Sequence, residues 1–256
     1  MTFPGSARTE TVLNTSVNVD IRTALPQREL IPMIDNAFAW LRWVERTFDP
    51  TDPDSQIGRF NSGRTIEQVP ELVEVVHRCN ELAEATDGWF DARIDGVLDV
   101  SGYIKGWALE RLSRALCSAG AVDHRITAGA DVRVRGSAVP GRPWRVGIRD
   151  PRSGSVRRMV FANDLAIATS GKARVVDPRT GEPQRGLNSV TVIGPDLAVA
   201  DGLATAIYAM GPVRGRRFAM DLAAAEPYQV MIVTRGGRSV ITPGFAAYSV
   251  PAELAG

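Results

Sequence analysis

Lysine, cysteine and histidine are all scarce in this chain of 256 residues. Lys105 and Lys172 are the only lysines among 30 Lys+Arg, a bias read mainly as one of genomic composition. Cys79, Cys117, His77 and His124 are the only thiols and imidazoles, too few for a cysteine-rich zinc site. Both cysteines fall in apolar helical patterns, where a small buried thiol is the expected role. No apolar run reaches the length of a membrane-spanning helix. Met1–Gly5 lacks the basic and apolar regions of a signal peptide, so cytoplasmic residence is the default expectation. With 29 Asp+Glu the formal net charge is +1, which argues against a nucleic-acid or membrane-surface protein.

The chain does have enough apolar material, 44% hydrophobic residues, to bury a sizeable core. Val17–Ile21 alternates apolar and polar residues, as a half-buried strand does. Leu30, Ile34, Phe38, Leu41, Val44 and Phe48 are spaced by three or four and mark one face of a helix. The stretch 48–55 is dense in breakers and reads as a loop. A second helix is expected from Pro70 to before Asp87, burying Leu72, Val76, Cys79 and Leu82. A third is expected from Lys105 to Ala119. Strands follow at 131–134, 144–148, 156–161, 165–169 and 189–193, then helices at 199–210 and 213–224, and strands at 229–234 and 239–242. Strands and helices without regular alternation predict an α+β fold, a single domain over 1–256 with mixed, mainly antiparallel sheets and packed helices.

Three stretches could carry chemistry, and each also has an ordinary structural reading. In Leu98–Gly106 a strand leads through small residues to Lys105 at a helix start, where free N–H groups and the ammonium suit a phosphate. An ordinary strand–helix turn with a solvated lysine would look the same. Ser170-Gly171, followed by Asp177-Pro178-Arg179-Thr180-Gly181, could hold a phosphate or nucleotide with its donors, or simply turn the chain. On a helix, Asp201 and Thr205 stand four residues apart on one face, a plausible arrangement for magnesium beside phosphate oxygens. A helix-dipole aspartate and a back-bonding threonine would give the same pattern.

In order and wording these stretches resemble the ApbE family, the FAD:protein FMN transferases, from about residue 10 to about residue 235. Arg59-Phe60-Asn61 and Thr86-Asp87-Gly88-Trp89-Phe90-Asp91 resemble two further family motifs, the second written T-x-G-x-F-D. Ala128–Arg133 and Trp144–Pro151 are similar to two more. The resemblance implies binding of FAD and Mg2+ and movement of FMN from FAD to a Ser or Thr hydroxyl of a partner flavoprotein, with release of AMP. It implies Asp201, Thr205 and the Gly102 carbonyl as metal ligands. Lys105, Asp131, Ser170, Gly171 and Thr180 would line the FAD site, with Asn14 and Thr15 where the family has M-G-T.

Four departures stand out. Arg174 occupies the place of a histidine three residues before the aspartate of D-P-x-T-G, and an arginine stays protonated at neutral pH. The connection from Gly171 to Asp177 is shorter than the family's, Ala130 replaces a glycine, and the M-G before Thr15 is missing. Asp177 and Arg174 are the expected catalytic candidates, the first to take a proton and the second to pair with phosphate oxygens. Three alternatives stay open: an FAD pyrophosphatase giving FMN and AMP, a catalytically impaired FAD-binding relative, or a fold relative that takes another phosphorylated ligand.

Overall fold

The structure is a computed structural model that describes residues 4–64, 67–94, 96–171 and 175–254. An initial hairpin, β1 (Gly5–Val12) and β2 (Thr15–Arg22), is followed by helices α1 (Gln27–Phe48), α2 (Gln56–Asn61) and α3 (Pro70–Ala85). The short hairpin β3 (Arg93–Ile94) and β4 (Val97–Leu98) leads into α4 (Ser101–Ser118). Six strands come next: β5 (His124–Ala128), β6 (Asp131–Arg135), β7 (Trp144–Arg149), β8 (Val156–Ala162), β9 (Leu165–Gly171) and β10 (Leu187–Gly194). Helix α5 (Leu197–Ala225), then β11 (Gln229–Thr234), β12 (Ser239–Ile241) and β13 (Ser249–Pro251), complete the order. Among the described residues no helix is long and apolar enough to cross a membrane.

Among the described residues, eight strands form one sheet in the order β1-β2-β5-β6-β9-β10-β11-β12, and β13-β8-β7 form a second, with neighbouring strands antiparallel in both. Alternation along the central strands serves two cores. Val190, Val192, Val230 and Ile232 face the helices, whereas Ile193, Met231 and Val233 face the small sheet with Trp144, Val146 and Phe245. Strand β10 is therefore buried along its whole length. Close helix packing depends on Gly106 of α4. A Cβ there would lie 2.5 Å from the Leu197 carbonyl oxygen and 3.0 Å from Ala198 Cα of α5.

The main departures from the expected elements are local. Helix α4 starts at Ser101, so Lys105 stands in its second turn and not at its start. Residues 56–61 form a helix within a breaker-rich region because Ser55 Oγ accepts the Gly58 N–H at 2.8 Å. Strands β1, β3, β5 and β13 also add to the expected set. In α3 it is Val75, not Val76, that is fully buried beside Leu72, Cys79 and Leu82. The two helices expected after residue 199 form one run, kinked at Gly211, whose φ of 75° no side chain adopts readily, with Pro212 opening the second half. Cys79 is buried and its thiol is pushed up to about 12 by that burial, which leaves it inert.

His124 is a core residue at the start of β5, with ring nitrogens 2.8 Å from Ser113 Oγ and 2.7 Å from the Ala121 carbonyl. Burial, reinforced by the charges of Arg133 and Arg135, lowers its pKa to about 4 despite the Ala121 contact. The unfolded chain takes up this proton near the ordinary histidine pKa and the folded chain does not. Stability is therefore complete above about pH 6.5 and falls as pH drops toward 4, by on the order of 3 kcal/mol. Urea melts at stepped pH should show that slope, and His124→Asn should flatten it.

Candidate functional site

One end of the large sheet gathers several turns and strand ends. Val12 pairs with Thr15, Ala128 with Asp131, and Gly171 with Ser189, so the β1–β2 turn, the β5–β6 turn and the end of β9 share that end. Helices α4 and α5 pass over it and enclose a cleft of about 620 Å³, within the size range of small-ligand sites. Gly102 and Lys105 enter from α4, Ser170 and Gly171 from β9, and Asp201 and Thr205 from α5.

The polar groups of this cleft are tied together. Lys105 Nζ lies 2.6 Å from Asp131 Oδ2, and Asp131 Oδ1 accepts the Thr169 N–H at 2.9 Å. Asp201 Oδ2 accepts the Gly106 N–H at 3.1 Å, and Ser170 Oγ lies 3.1 Å from Thr205 Oγ1. Burial pulls the Lys105 ammonium down, but Asp201 and Asp131 outweigh it and hold the lysine above its usual range. Burial and then the charge of Asp131 raise the Asp201 carboxyl well above the ordinary carboxylate range, against the opposing pull of Lys105 and the Gly106 amide. Two buried carboxylates thus face a single ammonium.

That imbalance fits a hard divalent cation. Among the described residues no group of three or more His, Cys, Asp or Glu side chains is placed to hold a metal ion, so the available donors are oxygens of mixed kind. The Asp201 carboxylate and the hydroxyls of Thr205 and Ser170 suit magnesium, which takes few protein ligands and keeps room for phosphate oxygens. Gly102 belongs to the same wall. A Cβ there would meet Phe90 and Thr205 at 3.3 Å, and the amide four residues on, Gly106 N–H, is drawn toward Asp201.

Other expected residues lie outside the cleft wall. Asn14 and Thr15 are in and after the β1–β2 turn, where Asn14 N–H reaches Glu45 Oε1 at 3.3 Å and Thr15 abuts Gly129. Asp177 Oδ1 accepts the Arg179 N–H at 2.9 Å, and Thr180 is exposed, with Oγ1 accepting the Glu182 N–H at 3.3 Å. Their neighbours Val176 and Pro178 do line the cleft, so Asp177 stands at its edge. Arg174 lies outside the described residues. Trp89, Phe90, Asp99 and Ser101 line the cleft as well. The sequence pattern does not name them as site residues, although Trp89 and Phe90 sit inside the stretch that resembles T-x-G-x-F-D and Asp99 and Ser101 inside Leu98–Gly106. Both histidines are elsewhere: His124 at the far end of β5 from Asp131, and His77 exposed on α3, 3.3 Å from Glu81.

The family model described as the ApbE family matches residues 13–98 and 95–228. The chain belongs to the ApbE family. Among curated ApbE-type relatives, the FAD:protein FMN transferase of Vibrio cholerae is 33% identical over 153 residues, 54% of this chain and 45% of that protein. That of Escherichia coli K12 is 31% identical over 174 residues, 61% of this chain and 48% of that protein. The aligned part of the chain thus spans about half the length of the curated relatives it matches. In fold, the ApbE protein of Thermotoga maritima superimposes with a TM-score of 0.87 over 96% of this chain and 99% of that one, at 23% identity. The flavin transferase ApbE of Vibrio cholerae gives 0.80 over 96% and 100%, at 22% identity.

Proposed function

We propose that this ApbE-family chain transfers FMN from FAD to a Ser or Thr hydroxyl of a partner flavoprotein and releases AMP. The observation that carries this reading is the convergence of Gly102, Lys105, Ser170, Gly171, Asp201 and Thr205, from three separate stretches of sequence, on one cleft. The names of the relatives supply the reaction class.

In this reading the FAD pyrophosphate lies between the Lys105 ammonium and the Asp201–Thr205 face. Asp201, Thr205 and the Gly102 carbonyl would hold Mg2+, which when bound supplies charge neutralisation for the pyrophosphate. Lys105, oriented by Asp131, donates to a phosphate oxygen. The acceptor hydroxyl oxygen bonds to the phosphorus on the flavin side, the bridging P–O bond breaks, and AMP leaves with its electron pair. Asp177, at the cleft edge with one oxygen already held by the Arg179 amide, takes the hydroxyl proton.

A second reading has its own support: Arg174 replaces the family histidine, and neither histidine lies in the cleft. The protein would then bind FAD without transferring FMN from it. Incubation with FAD and Mg2+, with and without a Ser/Thr peptide, separates the readings by chromatography. The transferase reading expects metal-dependent AMP together with flavin on the peptide. AMP with free FMN alone would make the protein a pyrophosphatase, and bound FAD with no AMP would leave a flavin-binding relative.

A further inference from the structure

The charges are not evenly shared along the chain. Residues 1–140 carry 15 Lys+Arg against 20 Asp+Glu, while residues 141–256 carry 15 against 9. Part of that cationic excess collects beside the cleft, around Trp89. The Arg179 guanidinium sits 4.4 Å from the Trp89 ring centroid and the Arg214 guanidinium 5.0 Å from it. Trp89 belongs both to the cleft wall and to an adjoining cavity of about 710 Å³ that reaches Val213, Arg214 and Phe218.

The backbone brings two further arginines to the same region. A Cβ on Gly186 would meet Pro212 Cδ at 2.6 Å, which places the Arg185–Gly186 segment against the start of the second half of α5. Arg235 N–H donates to the Gly186 carbonyl at 3.0 Å, and its guanidinium to the Arg185 carbonyl at 3.3 Å. Arg179 has a carboxylate partner, Asp87, at 3.1 Å. Arg185, Arg214 and Arg235 are exposed, and among the described residues none of the three forms an ion pair with a carboxylate. Val213, beside Arg214, is 83% exposed and offers an apolar contact within the cationic field.

We propose that the face formed by Arg185, Arg214 and Arg235 around Val213, next to the cleft, docks an acidic stretch of the acceptor protein. Opposite charge across such a face raises encounter rates and selects among partners. A cationic surface adjoining the flavin site would hold the acceptor while its hydroxyl reaches the phosphorus. This inference rests on the transferase reading for the role of the partner, and on the charge pattern for the partner's chemistry.

The test uses the full chain and two fluorescein-labelled Ser/Thr peptides that differ only in their flanks, one Asp/Glu-rich and one Lys-rich. Anisotropy should show the acidic peptide binding at least 10-fold more tightly, with the advantage shrinking as salt rises. The triple variant Arg185→Glu/Arg214→Glu/Arg235→Glu should abolish the preference and leave FAD affinity unchanged. The control Arg28→Glu/Arg46→Glu on α1 should keep it. Equal affinity for the two peptides, or a preference that survives the triple variant, overturns the proposal. So does a labelled dT oligomer that binds as tightly as the acidic peptide, since the face would then take any polyanion. AMP release from FAD, run in parallel, tests the transferase reading separately.

Discussion

Asp201→Asn should cut metal-dependent FAD cleavage by at least about 100-fold, close to 2.7 kcal/mol of transition-state stabilisation. The reason is that Asp201 supplies the one carboxylate on the α5 face of the cleft, with the Thr205 hydroxyl beside it. Asparagine keeps the shape and can still accept the Gly106 N–H that Asp201 accepts at 3.1 Å. It removes the charge that would hold magnesium. Because burial and Asp131 already disfavour that charge, the melting temperature of the variant should stay level or rise. Loss of activity with an intact fold, and a magnesium requirement shifted upward, would be read from AMP release rates over a metal titration. A variant within threefold of the parent would remove Asp201 from the reaction.

The largest expected effect on stability belongs to a different cluster. Arg133 is fully buried, and its guanidinium meets Glu110 at 2.8 Å and Asp164 at 2.9 Å. It also donates to the Pro195 carbonyl at 3.2 Å, while Glu110 Oε2 accepts the Leu197 N–H that opens α5. This cluster joins α4, β6 and the start of the helix that carries Asp201. Arg133→Met removes the forked donor and leaves Glu110, itself 4% exposed, with a weaker set of partners. The expected cost is about 3–5 kcal/mol, with a fall in melting temperature of roughly 10 °C. Arg133→Lys should recover only part of it, because an ammonium cannot span such separate acceptors as a planar guanidinium does. Thermal unfolding of the three proteins is the measurement.

Much of this architecture was legible from spacing alone, and the exceptions have physical causes. The stripe from Leu30 to Phe48 identifies α1 because its apolar residues repeat at helical intervals along one buried face. Strand β1 escapes the same reading because it lies at the sheet edge and only Val12 is fully buried, so no apolar alternation marks it. Helix α4 begins four residues early because Gly102, which reads as a turn residue, is small enough to pack its first turn against Phe90 and Thr205. Within the cleft, Asp201 and Thr205 are legible as an i, i+4 pair on one helix. The Lys105–Asp131 ion pair and the Ser170–Thr205 contact are not, because each joins a helix to a strand through tertiary packing that no local period encodes.

The most direct test of this account is a crystal grown with FAD and Mn2+ in place of magnesium, with the metal located by its anomalous signal. The account predicts a metal peak beside Asp201 and Thr205, with the FAD pyrophosphate between that peak and Lys105. A metal or flavin bound elsewhere, such as in the charged cavity lined by Arg78, Arg111 and Arg114, would contradict it.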